Sequence, residues 1–276
     1  MTRELALCAD DFGHSAVVDH AILGLAAGGR LTEVSCMVSG PAWPADAAAL
    51  AALPAVEQGQ VRIGLHFNLT QGAPVSPALA RHWPQLPALP RLIALAHLRQ
   101  LPLAALAEEL QAQFSAFEAA TGRTPTHLDG HQHVHHLPGV REIVLRALSS
   151  RPGLRVRHTG RVGGPGFGIK RWLIAATGGA ALGRRLEQLG RQANSALLGV
   201  YDFVAPDYRS LMQGWLAALP AQGGLILCHP GESGVMTQDQ PGDPIAAARA
   251  RELAYLGSEA FATDLLAADV RLVRSG

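Results

Sequence analysis

Apolar residues recur along this chain in short runs, and the spacing within each run switches between that of a strand and that of a helix. Residues 5–9 form a continuous apolar run too short for a helix, which reads as a buried strand closed by a turn at Asp10, Asp11, Phe12 and Gly13. Val18, Ile22 and Leu25 then recur at helical spacing, with Ser15 where a cap is needed and Gly28-Gly29 as a terminating pair. Residues 33–38 read as a second short strand, broken by Ser39-Gly40-Pro41, and an alanine-rich helix follows over 46–53. In residues 61–69, Val61, Ile63, Leu65 and Phe67 alternate with Arg62, Gly64, His66 and Asn68, so His66 faces away from the apolar row.

Six prolines between residues 72 and 102 forbid long regular elements there and predict a surface excursion or lid. Leu103, Leu106, Leu110, Phe114 and Phe117 mark an amphipathic helix closed by Gly122. A histidine-rich stretch occupies 126–138, a helix 140–149 and a strand 154–158. The insert GGPGFG at 163–168 fits neither the dinucleotide fingerprint nor the phosphate-loop pattern and reads as a loop. A helix over 208–219, an apolar strand at 224–228, helices near 245–256 and 259–267 and a strand at 270–273 complete the chain. Repeated strand and helix units of this length predict an α/β fold whose parallel strands end on one face, where Asp10, Asp11, His66, the histidine stretch and His229 converge.

Composition narrows the class. A chain of 276 residues with 48% hydrophobic residues can bury a full core, and one domain over 1–276 with insertions near 72–102 and 160–205 is the expected organisation. A formal net charge of +1 argues for a small or neutral partner and against nucleic acid. Three cysteines without CxxC spacing fit reduced thiols, hence a cytoplasmic setting, and no run is long enough to predict insertion in a membrane. Lys170 is the sole lysine, a bias read as genome composition.

The stretch THLDGHQHVHHLP places His127, Asp129, His131, His133, His135 and His136 within a few residues, the donor set of a divalent-metal site. Alternation along an extended segment would put several of these groups on one side. Neighbouring extended residues cannot wrap an ion alone, so partner ligands are sought in CADDFGHS and GLHFNLT. Asp10-Asp11 divides naturally into a metal ligand and a base, against the plainer alternative of a turn and helix start. His131 is the best ligand of its stretch because Asp129 stands where a carboxylate can orient a ring or a water. His229, after an apolar strand, is a candidate for proton transfer or a buried structural histidine. Arg157, alternating with Arg155, is a candidate contact to a sugar-like ligand, with Asp129 beside it, while His14 attracts no functional reading.

The blocks ADDFG, GLHFNLT, THLDGHQHVH and CHPGE, in that order, resemble the YdjC family of carbohydrate deacetylases, which includes chitooligosaccharide and hopanoid-biosynthesis-associated deacetylases. The resemblance implies a distorted (β/α) barrel related to the polysaccharide deacetylases. It implies one divalent ion, Mg²⁺ or Zn²⁺, on Asp11, His66 and His131, with Asp10 as base and His229 as acid. Gly130 stands where the family often shows serine, a small change expected to spare the ligands. The implied reaction is metal-dependent removal of an N-acetyl group from an acetamido sugar, either a chito-oligosaccharide or an N-acetylglucosamine-bearing glycoconjugate. Rival readings are another metal-dependent hydrolase acting on esters or phosphoesters, a metal-independent glycosidase using Asp10, and a non-catalytic metal- or sugar-binding module.

Overall fold

A computed structural model describes residues 2–233 and 242–274. Among the described residues eight strands, β1 (Arg3–Phe12), β2 (Glu33–Cys36), β3 (Arg62–Phe67), β4 (His127–Gly130), β5 (Arg155–Val156), β6 (Leu197–Leu198), β7 (Gly224–Cys228) and β8 (Val270–Leu272), form one sheet. All their pairings are parallel, in the order β5-β4-β3-β2-β1-β7-β6, with β8 against β1. The sheet curls as a half-barrel with helices outside it. β1 lies at its centre. Its apolar run shows no alternation because a parallel strand covered on both faces needs none. β8 pairs with Arg3 to Leu5 and β2 with Cys8 to Phe12, while β7 takes Leu5 to Ala9.

The helix Leu103–Thr121 buries Leu106, Leu110, Phe114 and Phe117, and Trp43 stacks on Phe117 with ring centroids 5.8 Å apart. Each such side chain contributes about 1.5–3 kcal/mol by leaving water. Gly122 ends this helix in the left-handed conformation (φ 65°), as its sequence position predicts. Ser15 sits at the start of helix Ala16–Ala27 but its hydroxyl makes no cap bond; Asp19 instead accepts the Gly13 N–H at 2.6 Å. Among the described residues no helix is long and apolar enough to cross a membrane.

Three segments depart from the expected elements. The proline-rich excursion holds two short helices, Pro77–His82 and Leu89–His97. The insertion expected near 160–205 contains helices Gly168–Ile174 and Ala180–Gln188, joined by a π turn, and then β6. At the π turn Gly178 (φ 155°) lies so close to His136 that a Cβ would meet its carbonyl oxygen at 2.0 Å. The glycines required by that approach mask the helical pattern. Finally, the histidine stretch leaves β4 after Gly130 and coils into a 3₁₀ turn, His131–His136, with Gln132 and His133 at φ 53° and 62°. Alternation therefore does not govern which imidazoles share a side.

Candidate metal and active site

β1 has to present two successive carboxylates to one cavity, which a regular strand forbids because its side chains alternate. A register irregularity between Ala9 and Phe12, with Asp11 at φ 70°, re-aims the second carboxylate. Asp10 and Asp11 consequently both line a cavity of about 630 Å³ at the C-terminal ends of the strands. His66 reaches it from β3, His131 from the turn after β4 and His229 from the loop after β7.

Asp11, His66 and His131 each offer a donor atom, and all three atoms lie within 4.8 Å of one another. His66 Nε2 stands 3.3 Å and His131 Nδ1 3.0 Å from Asp11 Oδ1. Ligand atoms about 2.1 Å from one ion stand about 3.4 Å apart in a tetrahedron and about 3.0 Å apart in an octahedron, so both Zn²⁺-like and Mg²⁺-like spacings fit. The donors are also prepared for an ion. His66 Nδ1 bonds Asp129 Oδ1 at 2.7 Å, which as an N–H donor leaves the Nε2 lone pair facing the Asp11 oxygen. Two acceptors so placed need a cation between them, a proton or a metal.

The local charge agrees. Asp10, Asp11 and Asp129 gather against two guanidiniums, Arg157 and Arg249, leaving one negative charge among these five groups. Burial pulls the His66 pKa down, but Asp129, Asp10 and Asp11 outweigh it and raise it to about 10. Burial likewise opposes ionisation of Asp11, yet Arg249 and His131 hold it well below the usual carboxylate range. Two further donor groups, Cys8-Glu33-His127 and Cys8-Asp10-Asp129, both use Cys8. Burial pushes that thiol up, and the Arg157 guanidinium 3.2 Å away already supplies a cation.

Asp10 is held by a two-pronged bond, Arg157 Nη1 to Oδ2 and Nη2 to Oδ1, each 2.7 Å. Asp129 and Arg157, read from sequence as substrate contacts, do not line the cavity. They lie one layer beneath it, because Arg157 is consumed by Asp10 and Asp129, while Asp129 also accepts from Ser35 Oγ at 2.6 Å. The expected link from Asp129 to His131 is replaced by one to His66, its direct partner across β3 and β4. Among the other histidines, His135 bonds the Arg157 carbonyl and His136 bonds Thr159 and Thr177, while His133 faces the cavity. Gly130 is crowded as well: a Cβ there would meet His135 N at 2.9 Å.

His229 meets the ring of Phe203 edge-on at 5.2 Å, and its Nδ1 is buried without a hydrogen-bond partner among the described residues. Burial, with Arg249 and His66 adding to it, pushes its pKa down to about 4. Sequence reading missed His14, Lys170 and Arg249, all of which line the cavity, as Tyr201 does too. Lys170 donates to the Tyr201 carbonyl at 2.5 Å and stands over the Phe203 ring. A lone lysine in an arginine-rich chain was the available signal.

A parallel half-barrel with an Asp-His-His set beside a second carboxylate and an imidazole, all at the strand C-termini, defines the class as an α/β protein with a candidate metal-centred active site. The YdjC-like protein family matches residues 4–267, and the chain belongs to that family. A carbohydrate deacetylase of Mus musculus is 37% identical over 179 residues, covering 62% of this chain and 54% of the relative. A chitooligosaccharide deacetylase of Enterobacter sp. (strain 638) is 34% identical over 164 residues, covering 57% and 60%. The matched stretches thus span only about half to three-fifths of those relatives. A crystal structure from Enterococcus faecalis V583, named for a proposed role in cellobiose-phosphate cleavage, superposes with a TM-score of 0.74 at 20% identity, over 100% of this chain and 98% of that one. That likeness concerns the fold.

Proposed function

We propose that this chain is a metal-dependent hydrolase that removes the N-acetyl group from an acetamido sugar, releasing acetate and leaving a free amine. The observation that carries the reading is the meeting of Asp11, His66 and His131 within 4.8 Å on the cavity that Asp10 and His229 also line. The relatives named for carbohydrate deacetylation support the substrate class. The cavity, about 630 Å³, suits a sugar unit or two, and Leu89, Ile93 and Leu173 offer apolar contact to ring faces.

Asp11, His66 and His131 would hold one divalent ion, Mg²⁺ or Zn²⁺. When bound, such an ion polarises the acetyl carbonyl and lowers the pKa of water from 15.7 toward about 7. Asp10, fixed in orientation by Arg157, accepts the proton of the attacking water as its oxygen bonds the carbonyl carbon. The carbon–nitrogen bond then breaks as His229 delivers a proton to the departing nitrogen, giving acetate and the amine. His229 is neutral in the free site at neutral pH, since burial holds it near 4. As negative charge develops on the tetrahedral oxygen, the proton affinity of His229 rises, so the ring takes up a proton from solvent and hands it to the nitrogen, while Asp10 returns the water's proton to solvent as acetate leaves. Asp129 and Arg157 serve from below, the first orienting His66 and the second Asp10.

A glycosidase built on Asp10 and a neighbouring carboxylate has less support, because the Asp11 oxygens face His66, His131 and Arg249. The test is acetate release across N-acetylated sugars after chelation and after return of Mg²⁺ or Zn²⁺. Activity abolished by the chelator and restored by the ion is expected. Absence of acetate from every acetamido sugar under every metal condition overturns the reading.

A further inference from the structure

The helix Ala246–Leu256 belongs to no motif used above, yet it carries two of the most deeply buried charged side chains, Arg249 (3% exposed) and Glu252 (0%). Three residues apart, they lie on one helix face. Both grip the backbone of His229. Glu252 Oε2 accepts its N–H at 2.6 Å, and Arg249 Nη1 donates to its carbonyl at 3.4 Å. Arg249 Nη2 donates to Asp11 Oδ2 at 2.8 Å, and its Nε reaches Asp243. Glu252 Oε1 accepts from the Tyr201 hydroxyl at 2.6 Å, and Tyr201 packs on Phe203, which in turn abuts the His229 ring.

Such a grip matters because, among the described residues, the His229 ring has no bond of its own at Nδ1. Its direction is therefore set by the backbone and by Phe203. A buried arginine and glutamate are also costly to desolvate, and replacing such groups by apolar ones often stabilises a protein. Helix packing alone does not call for them.

We propose that Arg249 and Glu252 are positioning residues, one helix face that fixes His229 at a set offset from Asp11. The proposal rests on the roles given above to His229 as proton donor and Asp11 as metal ligand. Release of the His229 N–H lets the imidazole drift, and a displacement of about 1 Å costs about 10²-fold in rate. Proton delivery suffers while the carbonyl end of the reaction is spared. Arg249 acts at both ends, since it also holds Asp11 Oδ2 and leaves Oδ1 turned toward His66 and His131.

Two substrates separate positioning from general damage. An acetamido sugar needs a proton on its leaving amine, whereas p-nitrophenyl acetate releases a phenolate that needs none. Glu252→Ala is expected to lower kcat on the acetamide about 10²-fold, with KM, ester hydrolysis and Zn²⁺ affinity by calorimetry each held within about threefold. Glu252→Gln keeps a carbonyl oxygen for the His229 N–H and restores kcat to within about tenfold of wild type. Arg249→Lys reaches fewer of the acceptors and lowers both acetamide turnover and Zn²⁺ affinity, each about tenfold. Tyr201→Phe, a mild change, loosens Glu252 and gives a smaller loss confined to the acetamide, which keeps the test alive if Glu252→Ala fails to fold. In Glu252→Ala or, where that variant fails to fold, in Tyr201→Phe, equal losses on both substrates or unchanged acetamide turnover overturn the proposal. A wild-type protein inactive on every acetamide removes the underlying hydrolase reading, and the clamp with it; an active wild type with indifferent variants removes the clamp alone.

Discussion

Loading the Asp11-His66-His131 site with a divalent ion should expel a proton, and the proton count tests whether His66 is rightly understood. In the metal-free protein burial lowers its pKa, but Asp129, Asp10 and Asp11 raise it to about 10. A ligand imidazole must be neutral, so at pH 7.5 the proton has to leave. Displacing it across about 2.5 pK units costs about 3.4 kcal/mol, which puts the affinity at pH 7.5 roughly 300-fold below its value above pH 10. The sign for stability follows from the same shift. The folded pKa lies above the unfolded value of about 6.5, so the protonated ring contributes stability fully present below about 6.5 and lost as pH rises through about 10. Calorimetric titration with Zn²⁺ at pH 7.5, in buffers of different ionisation enthalpy, reads the count directly. About one proton per ion is expected, with affinity rising about tenfold per unit between pH 7 and 9. No released proton, together with flat affinity over that range, refutes the reasoning.

Asp10→Asn preserves the shape of the group bound by Arg157; it should lower kcat by about 10²–10⁴-fold while metal affinity by calorimetry stays near wild type. Arg157→Met leaves Asp10 and Asp129 buried without their counter-ion, and chemical denaturation should show a loss of about 3–5 kcal/mol. Gly130→Ser, harmless by motif comparison, should disturb the turn that carries His131, because a Cβ there meets His135 N at 2.9 Å. Weaker Zn²⁺ binding by about tenfold is its expected mark. His229 has a folded pKa near 4, below its unfolded value, so its contribution to stability erodes as pH falls from about 6.5 toward 4, a loss that His229→Gln should abolish in denaturation series.

Much of the candidate site was legible because its proposed ligands sit at or just past strand ends, where hydrophobic patterning is strongest. The apolar run before Asp10 and the alternation around His66 locate both residues before any fold is known. What the pattern hides is long-range charge. Arg157 and Arg249 look like ordinary arginines of a strand and a helix, since the cavity carboxylates they bind, Asp10 and Asp11, lie 147 and 238 residues away. Asp129 falls in the same class: its neighbour His131 is close in sequence, but the ring it orients comes from β3. Periodicity also failed where elements are very short, as at β6, or where left-handed residues end a strand, as at Gln132 and His133.

The left-handed backbone at Asp11 has an evolutionary corollary. Few residue types tolerate that conformation, chiefly glycine, asparagine and aspartate. Mutational drift at this position is thereby channelled toward asparagine or glycine, either of which suits the backbone while removing the carboxylate proposed to hold the ion. A paralogue lacking the proposed activity would therefore be recognised by a change to asparagine or glycine at position 11.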